Sequence, residues 1–359
     1  MNLINVRSPY IIRVNESGQT GAKVKIFLWN KGDAVPTLPN YTLSKDIPST
    51  TQTELNFNIS NYVREFIDNI IPISNRHSSD IETNKMWCNV TIEKYKTVSG
   101  VDTLVTSVSY VATNGFTKYE DGTNGGNPIA DIISLTDSTK KIYYYRDLGV
   151  YPYVNVLFDN SSGTKSLKFR WTPKTGTVVN EIKSATGIFN YTVPVSLTSS
   201  DFDNDSILTI FDNITGFKID AFTIIPICEP KYTPVECSYI NRKGGWQFLT
   251  FFKAQTNAIN TKGSTYRMMP SASNYNPSQA QTKSFNINGQ QSVKLNTGWV
   301  DENYSDLITD LLLSETILLD GKPVELKTTT SDLKTSLKDK MINYEIEFDY
   351  AFNLINDVV

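Results

Sequence analysis

Few residues of this chain have the types and spacing that acid–base or metal chemistry needs. The single histidine, His77, lies in the polar stretch SNRHSSD. Histidine-dependent catalysis requires an imidazole held on a rigid element beside a nucleophile, and no nucleophile motif of the Gly-x-Ser-x-Gly kind is present. One histidine also excludes zinc sites built from several histidines. We therefore predict that the chain is not an enzyme and that it binds no cofactor.

The three cysteines, Cys88, Cys228 and Cys237, give no sign of a disulfide framework. Their number is odd, and Cys228 and Cys237 are too far apart in sequence for a zinc knuckle. We interpret them as structural thiols of a protein made in a reducing cytoplasm. The N-terminal stretch agrees with this compartment, because it lacks the basic segment, apolar core and cleavage site of a signal peptide.

The strongest metal-like pattern is the segment DFDNDSILTIFD. It contains Asp201, Asp203, Asp205 and Asp212, spaced as in a calcium-binding loop. However, Ser206 stands where the sharp turn needs glycine, an aspartate replaces the bidentate glutamate, and the flanks have the pattern of strands rather than helices. A solvated acidic turn is the favoured interpretation, and no metal site is predicted.

Clustered tyrosines are a second candidate for binding. Tyr143, Tyr144 and Tyr145, followed by Tyr151 and Tyr153, could stack on sugar rings. Their spacing equally suits tyrosines packed on the two faces of a sheet, which is the interpretation we favour. Paired carboxylates of the glycosidase kind meet only in space and leave no sequence pattern to test.

The composition indicates a β-rich chain with a polar, weakly charged surface. Of 359 residues, 39% are hydrophobic and 20% charged, and the net charge is −3. Without a basic excess, nucleic acid is a poor partner, and no apolar run reaches the roughly 18–20 residues that span a membrane. The predicted fold class is mainly β, with β-sandwich-type domains and a few short helices.

Residues 1–119 have the pattern of an N-terminal β-sandwich domain. Alternating apolar residues predict strands in AKVKIFLWNKG, ELNFNIS, WCNVTIEKY and TLVTSVSYVA, and a Ser99-Gly100 turn joins the last two. A short amphipathic helix is predicted with Ser60 as its N-cap. The run EDGTNGGNP, residues 120–128, is rich in Gly, Asn and Pro and is predicted to be a linker. Residues 129–359 would then form a larger β-rich domain.

The larger domain is predicted to end in a helix, a hairpin and a long strand. Apolar residues at 3.6-residue spacing indicate a helix between 300 and 312, and Asp320-Gly321 matches a type I′ hairpin turn. Earlier in the domain, FTIIPICEP is predicted to be a central strand buried on both faces, and Gly244-Gly245 to be a hairpin turn. The final strand runs from Met341 to Phe352, with six alternating residues predicted to face the core: Ile342, Tyr344, Ile346, Phe348, Tyr350 and Phe352.

Residues 254–284 interrupt the strand pattern with a polar stretch that has no periodicity. A long structureless loop inside a domain indicates function, disorder or a wrong assignment, because most loops have about 4–6 residues. Tyr266, Met268, Met269 and Tyr275 are apolar groups without a local pattern that buries them, and such residues suit adaptable interfaces. We predict an assembly arm that is mobile in the free subunit and ordered against a neighbouring copy. A tolerated surface insertion is the alternative.

Both ends of the chain resemble virion structural proteins of tailed phages that infect Bacteroidetes, the crAss-like phages being the nearest group. The resemblance is carried by SPYIIRVNESGQTGAKVKIFLWNKG near the start, and by INRKGGWQFLTF, NTGWVDENYSDLITDLLLSETILL and SLKDKMINYEIEFDYAFNLIN near the end. It implies a structural component of the neck or tail, made in the host bacterial cytoplasm and located in the virion. It also implies that the partners are copies of the chain itself, in a sixfold or twelvefold ring, and other neck or tail proteins. Such a ring forms when one patch binds a different patch on the next copy and the rotation closes.

Two other functions stay open at the level of sequence. A receptor- or glycan-binding β-protein of the virion or cell surface would carry a solvent-open aromatic groove. A hydrolase of the glycosidase type would need two facing carboxylates in a cleft.

Overall fold

The computed structural model describes residues 1–48, 53–67, 81–82, 86–136, 141–145, 153–174, 177–194, 206–227, 231–269, 276–328 and 341–356. The fold is mainly β, which confirms the predicted class, and the described ranges contain two short α-helices. No helix in these ranges is long and apolar enough to cross a membrane.

The first part of the chain forms a small sandwich of one five-stranded sheet, ordered β1-β8-β7-β3-β4, and the two-stranded pair β2-β5. Alternating side chains of β3 and β7 pack against β5 and the helix, so that Val24, Ile92 and Phe57 are almost fully buried. Its elements are β1 (Leu3–Asn5), β2 (Ile11–Val14), β3 (Gly21–Trp29), β4 (Tyr41–Asp46), β5 (Leu55–Asn58), α1 (Ser60–Arg64), β6 (Ile81–Glu82), β7 (Trp87–Val98) and β8 (Val101–Thr113). β6 belongs to a later sheet.

Two local predictions for this part have different outcomes. The Ser99-Gly100 turn between β7 and β8 is confirmed, with φ angles of 50° and 82°. Ser60 as N-cap is wrong, because Ser60 is the first helical residue and Ile59 holds the cap position without a side-chain bond. The side chain of Asn58 instead accepts hydrogen bonds from the backbone N–H and the hydroxyl of Ser60, at 3.2 and 2.8 Å. Asn58 therefore accepts an N–H at the start of the helix, which is the role that was predicted for the side chain of Ser60.

A short 3₁₀ turn (Tyr119–Asp121) opens the segment that was predicted to be a linker. Asn124 accepts a hydrogen bond from the backbone N–H of Ile11 at 2.7 Å and donates one to its carbonyl at 2.8 Å. Asn127 accepts a bond from the backbone N–H of Asn5 at 3.0 Å. These bonds hold the segment against the N-terminal strands.

A second sandwich follows, built from the five-stranded sheet β10-β16-β15-β12-β13 and the four-stranded sheet β6-β14-β11-β9. Phe158 of one sheet and Phe169 and Leu208 of the other fill the core between them. The elements are β9 (Ile132–Ser134), β10 (Lys141–Tyr145), β11 (Tyr153–Asn160), β12 (Leu167–Thr172), β13 (Val179–Lys183), β14 (Gly187–Pro194), β15 (Ser206–Asp212) and β16 (Lys218–Ile227).

Strand β16, which contains most of FTIIPICEP, has the predicted central position between β10 and β15. Burial on both faces is wrong: Phe222 and Ile224 are buried, whereas Thr223 and Ile225 are only half-buried. The difference arises because the sandwich covers one face of this sheet and leaves the other partly open.

By its internal contacts the described chain divides into two compact units. The first comprises residues 1–228, 239–249 and 309–315, and the second 229–238, 250–308 and 316–359. This division differs from the boundary predicted at 120–128, and both sandwiches belong to the first unit.

The last part of the chain contains a seven-stranded sheet, ordered β18-β17-β22-β23-β25-β20-β19, and the pair β21-β24. Its elements are β17 (Val235–Ile240), β18 (Trp246–Phe251), β19 (Thr256–Arg267), β20 (Thr282–Asn296), β21 (Val300–Asp301), α2 (Tyr304–Leu312), β22 (Ile317–Leu319), β23 (Lys322–Leu326), β24 (Met341–Ile342) and β25 (Glu345–Asn353). The predicted helix is confirmed only from Tyr304 to Leu312, because Val300 and Asp301, predicted to begin it, form strand β21 instead. The predicted turns are confirmed; Asp320 and Gly321 have the positive φ angles, 46° and 78°, that a type I′ turn requires.

The predicted C-terminal strand is confirmed in its first two thirds. Ile342, Tyr344, Ile346 and Phe348 are all buried, although the strand is broken between β24 and β25. Phe352 is 45% exposed, contrary to the prediction. The alternation therefore continues along the strand after the core beneath it has ended.

The cysteines confirm the interpretation as structural thiols where the structure describes them. Cys88 and Cys237 are free and fully buried, and burial raises the pKa of Cys88 to about 12. Burial and the nearby carboxylate of Asp320 raise the pKa of Cys237 as well. Cys228 lies outside the described residues.

We expect Cys88 and Cys237 to resist iodoacetamide in the native protein at about pH 8, because both thiols are buried and burial raises their pKa well above the value of about 8.5 for a free cysteine, whereas the thiolate is the reactive form. Both should react fully once guanidinium unfolds the chain. Peptide mass mapping of the alkylated sites measures this. Native labelling of either residue at the rate of a cysteine peptide would contradict the assignment.

Candidate functional site

Strands β19 and β20 form a long antiparallel ribbon, defined here as residues 256–267 and 282–294. Their pairing runs from Thr256 opposite Lys294 to Arg267 opposite Thr282. The inner part of β20 also pairs with β25, from Asn296 out to Gln290. The chain after β25 follows the ribbon a little further, where the N–H of Leu354 donates to the carbonyl of Gly289 at 2.7 Å and that of Ile355 to Oδ1 of Asn288 at 3.0 Å. Past Asn288 the described part of the ribbon has only two strands, and all twelve residues of β19 are exposed.

The description of residues 254–284 as a loop without regular structure is therefore wrong. Backbone hydrogen bonds between the two strands order the described part of this segment, and pairing continues at Met268, whose N–H donates to the carbonyl of Gln281 at 2.7 Å. A ribbon with water on both faces needs no alternation of apolar residues, so residues 254–284 carry no period-2 signal.

A bulge in the middle of the ribbon changes its register between Lys262 and Ser264. Asn286, on the other strand, has a φ angle of 51°. Gly263 gives the room that this geometry needs, because a Cβ there would lie only 2.8 Å from Cγ1 of Ile287. The bulge twists the ribbon, which is one way that proteins limit uncontrolled pairing of an exposed edge strand.

The ribbon exposes several large apolar side chains on a part of the molecule that has no core of its own. Tyr266 and Phe285 contact each other edge to face, with ring centroids 5.7 Å apart, yet both are more than 40% exposed. Ile259 and Ile287 are exposed as well, and Met269 is 95% exposed. Groups of exposed apolar side chains of this kind mark interaction sites.

The charge of the ribbon is uniformly basic. Lys294, at the inner end of the ribbon, forms an ion pair with Glu345. The rest of the ribbon lies within residues 254–293, which contain Lys262, Arg267 and Lys283 and no Asp or Glu. The whole chain has 34 basic and 37 acidic residues, so 31 basic and 37 acidic residues lie outside this segment, a net charge of −6. The ribbon is thus a basic element on an acidic chain.

Three of the four predicted arm residues, Tyr266, Met268 and Met269, lie together at the outer end of the described ribbon. Tyr275 lies outside the described residues. The sequence analysis missed Ile259, Phe285 and Ile287. The alternation of Phe285 and Ile287 in KSFNING was the sequence pattern that could have identified two of them.

Other candidate residues form no site in the described ranges. Asp212 accepts hydrogen bonds from the backbone N–H of Ile214 and the hydroxyl of Thr215, at 2.9 and 2.7 Å, and so stabilises a turn. His77, Asp201, Asp203, Asp205 and Tyr151 lie outside the described residues, and for Tyr143–Tyr145 only the backbone of β10 is described. No three His, Cys, Asp or Glu side chains of the described residues group as metal ligands.

Comparison of the chain with protein-family models gives no match, and no curated protein is significantly similar to it.

Proposed function

We propose that the protein is a structural component of a phage neck or tail, and that it assembles into a closed ring in which the ribbon of one copy binds the next copy. The observation that carries this proposal is the ribbon itself, with exposed apolar side chains, a basic charge and, in the part of the chain that the structure describes, no third strand over its outer part. On this proposal the chain has no catalytic role, and its partners are further copies of itself and other virion proteins.

The stability of the ribbon supports a role in binding. An isolated two-stranded hairpin is marginally stable in water, because it buries little apolar surface. Exposed Ile259, Phe285 and Ile287 add a cost that a partner surface would remove. A docked ribbon would gain apolar burial, and the free edge of β19 would gain backbone hydrogen bonds.

The charge distribution favours another copy of this chain as the partner. The basic ribbon complements a chain whose remainder has a net charge of −6. Ribbon and acceptor are different patches, so each copy can bind one neighbour and be bound by another. This head-to-tail arrangement produces rings when the rotation closes.

Native mass spectrometry tests the proposal at the level of stoichiometry. We expect a closed oligomer of six or twelve copies that dissociates as the ionic strength rises from about 0.1 M to about 1 M, where the screening length falls from about 10 to about 3 Å. A chain that stays monomeric at high protein concentration and low salt would contradict ring formation.

A further inference from the structure

An open cleft of about 550 Å³ lies within the second unit, at the base of the ribbon. Its lining combines two exposed aromatic residues with amide, hydroxyl and charged side chains. The residues that matter for binding are Trp299, Tyr232, Lys253, Lys294, Asn296 and Asn343.

Trp299 is the unusual residue of this cleft, because it is 61% exposed. Trp87, Trp171 and Trp246 are each buried. Leaving an indole in water is unfavourable, since a large aromatic side chain is among the groups that gain most from burial. An exposed indole beside a polar cleft is available for a ligand to stack on.

The backbone before Trp299 holds this side chain outward. The N–H of Thr297 donates to the carbonyl of Tyr344, and the N–H of Tyr344 donates to the hydroxyl of Thr297, both at 3.0 Å. Gly298 follows with a φ angle of 71°, and its N–H donates to Oδ1 of Asn296 at 2.7 Å. A Cβ at Gly298 would lie 2.9 Å from the side chains of Lys253 and Phe252. The turn is thus close-packed and hydrogen-bonded, and Trp299 lines the cleft directly after it.

The described residues that line the cleft carry an excess of one positive charge. Lys294 and Glu345 form an ion pair at 2.5 Å, which raises the pKa of Lys294. Among the described residues that line the cleft, Glu345 is the only acidic one. Lys253 lies over the ring of Phe252, 5.3 Å from its centroid, and adds a cation that Glu345 does not neutralise.

We propose that this cleft binds an acidic saccharide. The indole of Trp299 stacks on the apolar C–H face of a sugar ring, and the ammonium of Lys253 pairs with the sugar carboxylate. Asn296, Asn343 and Thr256 supply the donors and acceptors that hydroxyl groups need. Stacking plus a few fixed polar groups is the usual composition of a small-molecule site. The inference does not depend on ring assembly.

Affinity electrophoresis in gels that contain polygalacturonate, an acidic polysaccharide, or dextran, a neutral one, tests this proposal. We expect polygalacturonate to retard the wild-type protein strongly and dextran to retard it little. Trp299→Ala should weaken binding about tenfold or more, as truncation of a central aromatic anchor does at other binding sites. Lys253→Gln should weaken binding to polygalacturonate and leave dextran retardation unchanged.

Two control variants test whether retardation by polygalacturonate arises at the cleft or elsewhere on the protein. Phe217→Ala removes an aromatic residue that is 68% exposed in the first unit and should bind like the wild type. The double variant Lys262→Gln/Arg267→Gln removes positive charge from the ribbon and should also keep its retardation. The proposal is wrong if the wild type is not retarded, if Trp299→Ala is retarded as strongly as the wild type, or if the ribbon variant alone loses binding. It is equally wrong if Trp299→Ala leaves retardation intact but changes the oligomeric state, since Trp299 would then be a contact between copies.

Discussion

Phe348→Ala should lower the free energy of unfolding by about 3–5 kcal/mol, the usual cost of truncating a buried phenylalanine. Phe348 is fully buried and contacts Phe251 edge to face, with ring centroids 6.1 Å apart. It lies on β25, which pairs with β23 on one side and β20 on the other. A cavity at this point weakens three strands at once.

Phe352→Ala is the matched control, since it makes the same chemical change four residues later on the same strand. Phe352 is largely exposed, so the loss should stay below about 1 kcal/mol. Urea unfolding followed by circular dichroism, with hydrogen exchange of β25 to identify the unit that unfolds, gives both values.

Deleting residues 341–359 should yield insoluble protein. Equal midpoints for the two variants, or a soluble truncation that melts cooperatively, would show that this strand is not part of the core.

Shortening the ribbon should abolish assembly without unfolding the subunit. Replacing residues 262–288 by Asn-Gly leaves the pair Thr261–Gly289 closed by a two-residue type I′ turn. The buried residues Val293 and Leu295 stay in place, so the melting temperature of the shortened chain should match that of the wild type. Its mass by light scattering should be that of a monomer.

The variant Tyr266→Ser/Phe285→Ser keeps the length of the ribbon and removes one exposed aromatic pair. We expect it to assemble more weakly than the wild type but better than the shortened chain, because the basic residues and the strand edge are retained. A shortened chain that still forms closed rings at normal yield would show that the segment is a tolerated insertion.

The parts of the fold that the sequence predicted well are those in which one face is buried. Val24, Ile26 and Leu28 alternate because a core lies under one side of β3, and Ile346 and Phe348 alternate for the same reason. The turns at Ser99-Gly100 and Asp320-Gly321 were predictable because they need positive φ angles that few residues adopt. Phe352 shows the limit of this reasoning, since an apolar residue in register is not buried where the core has ended.

The candidate sites were less predictable, for two physical reasons. The ribbon has no buried face, so nothing imposes a period on its residues, and its apolar side chains were noticed only in part. The cleft brings together Tyr232, Lys253, Trp299 and Asn343, which are far apart in sequence. A single exposed tryptophan leaves no pattern, and its exposure follows from the packing of Thr297 and Gly298.

Single-particle electron microscopy of the purified protein at low ionic strength tests the central claim most directly. The account predicts closed rings of sixfold or twelvefold symmetry in which each ribbon, residues 256–267 and 282–294, lies on the surface of the neighbouring copy. Isolated subunits, or rings whose ribbons extend into solvent without touching a neighbour, would contradict it.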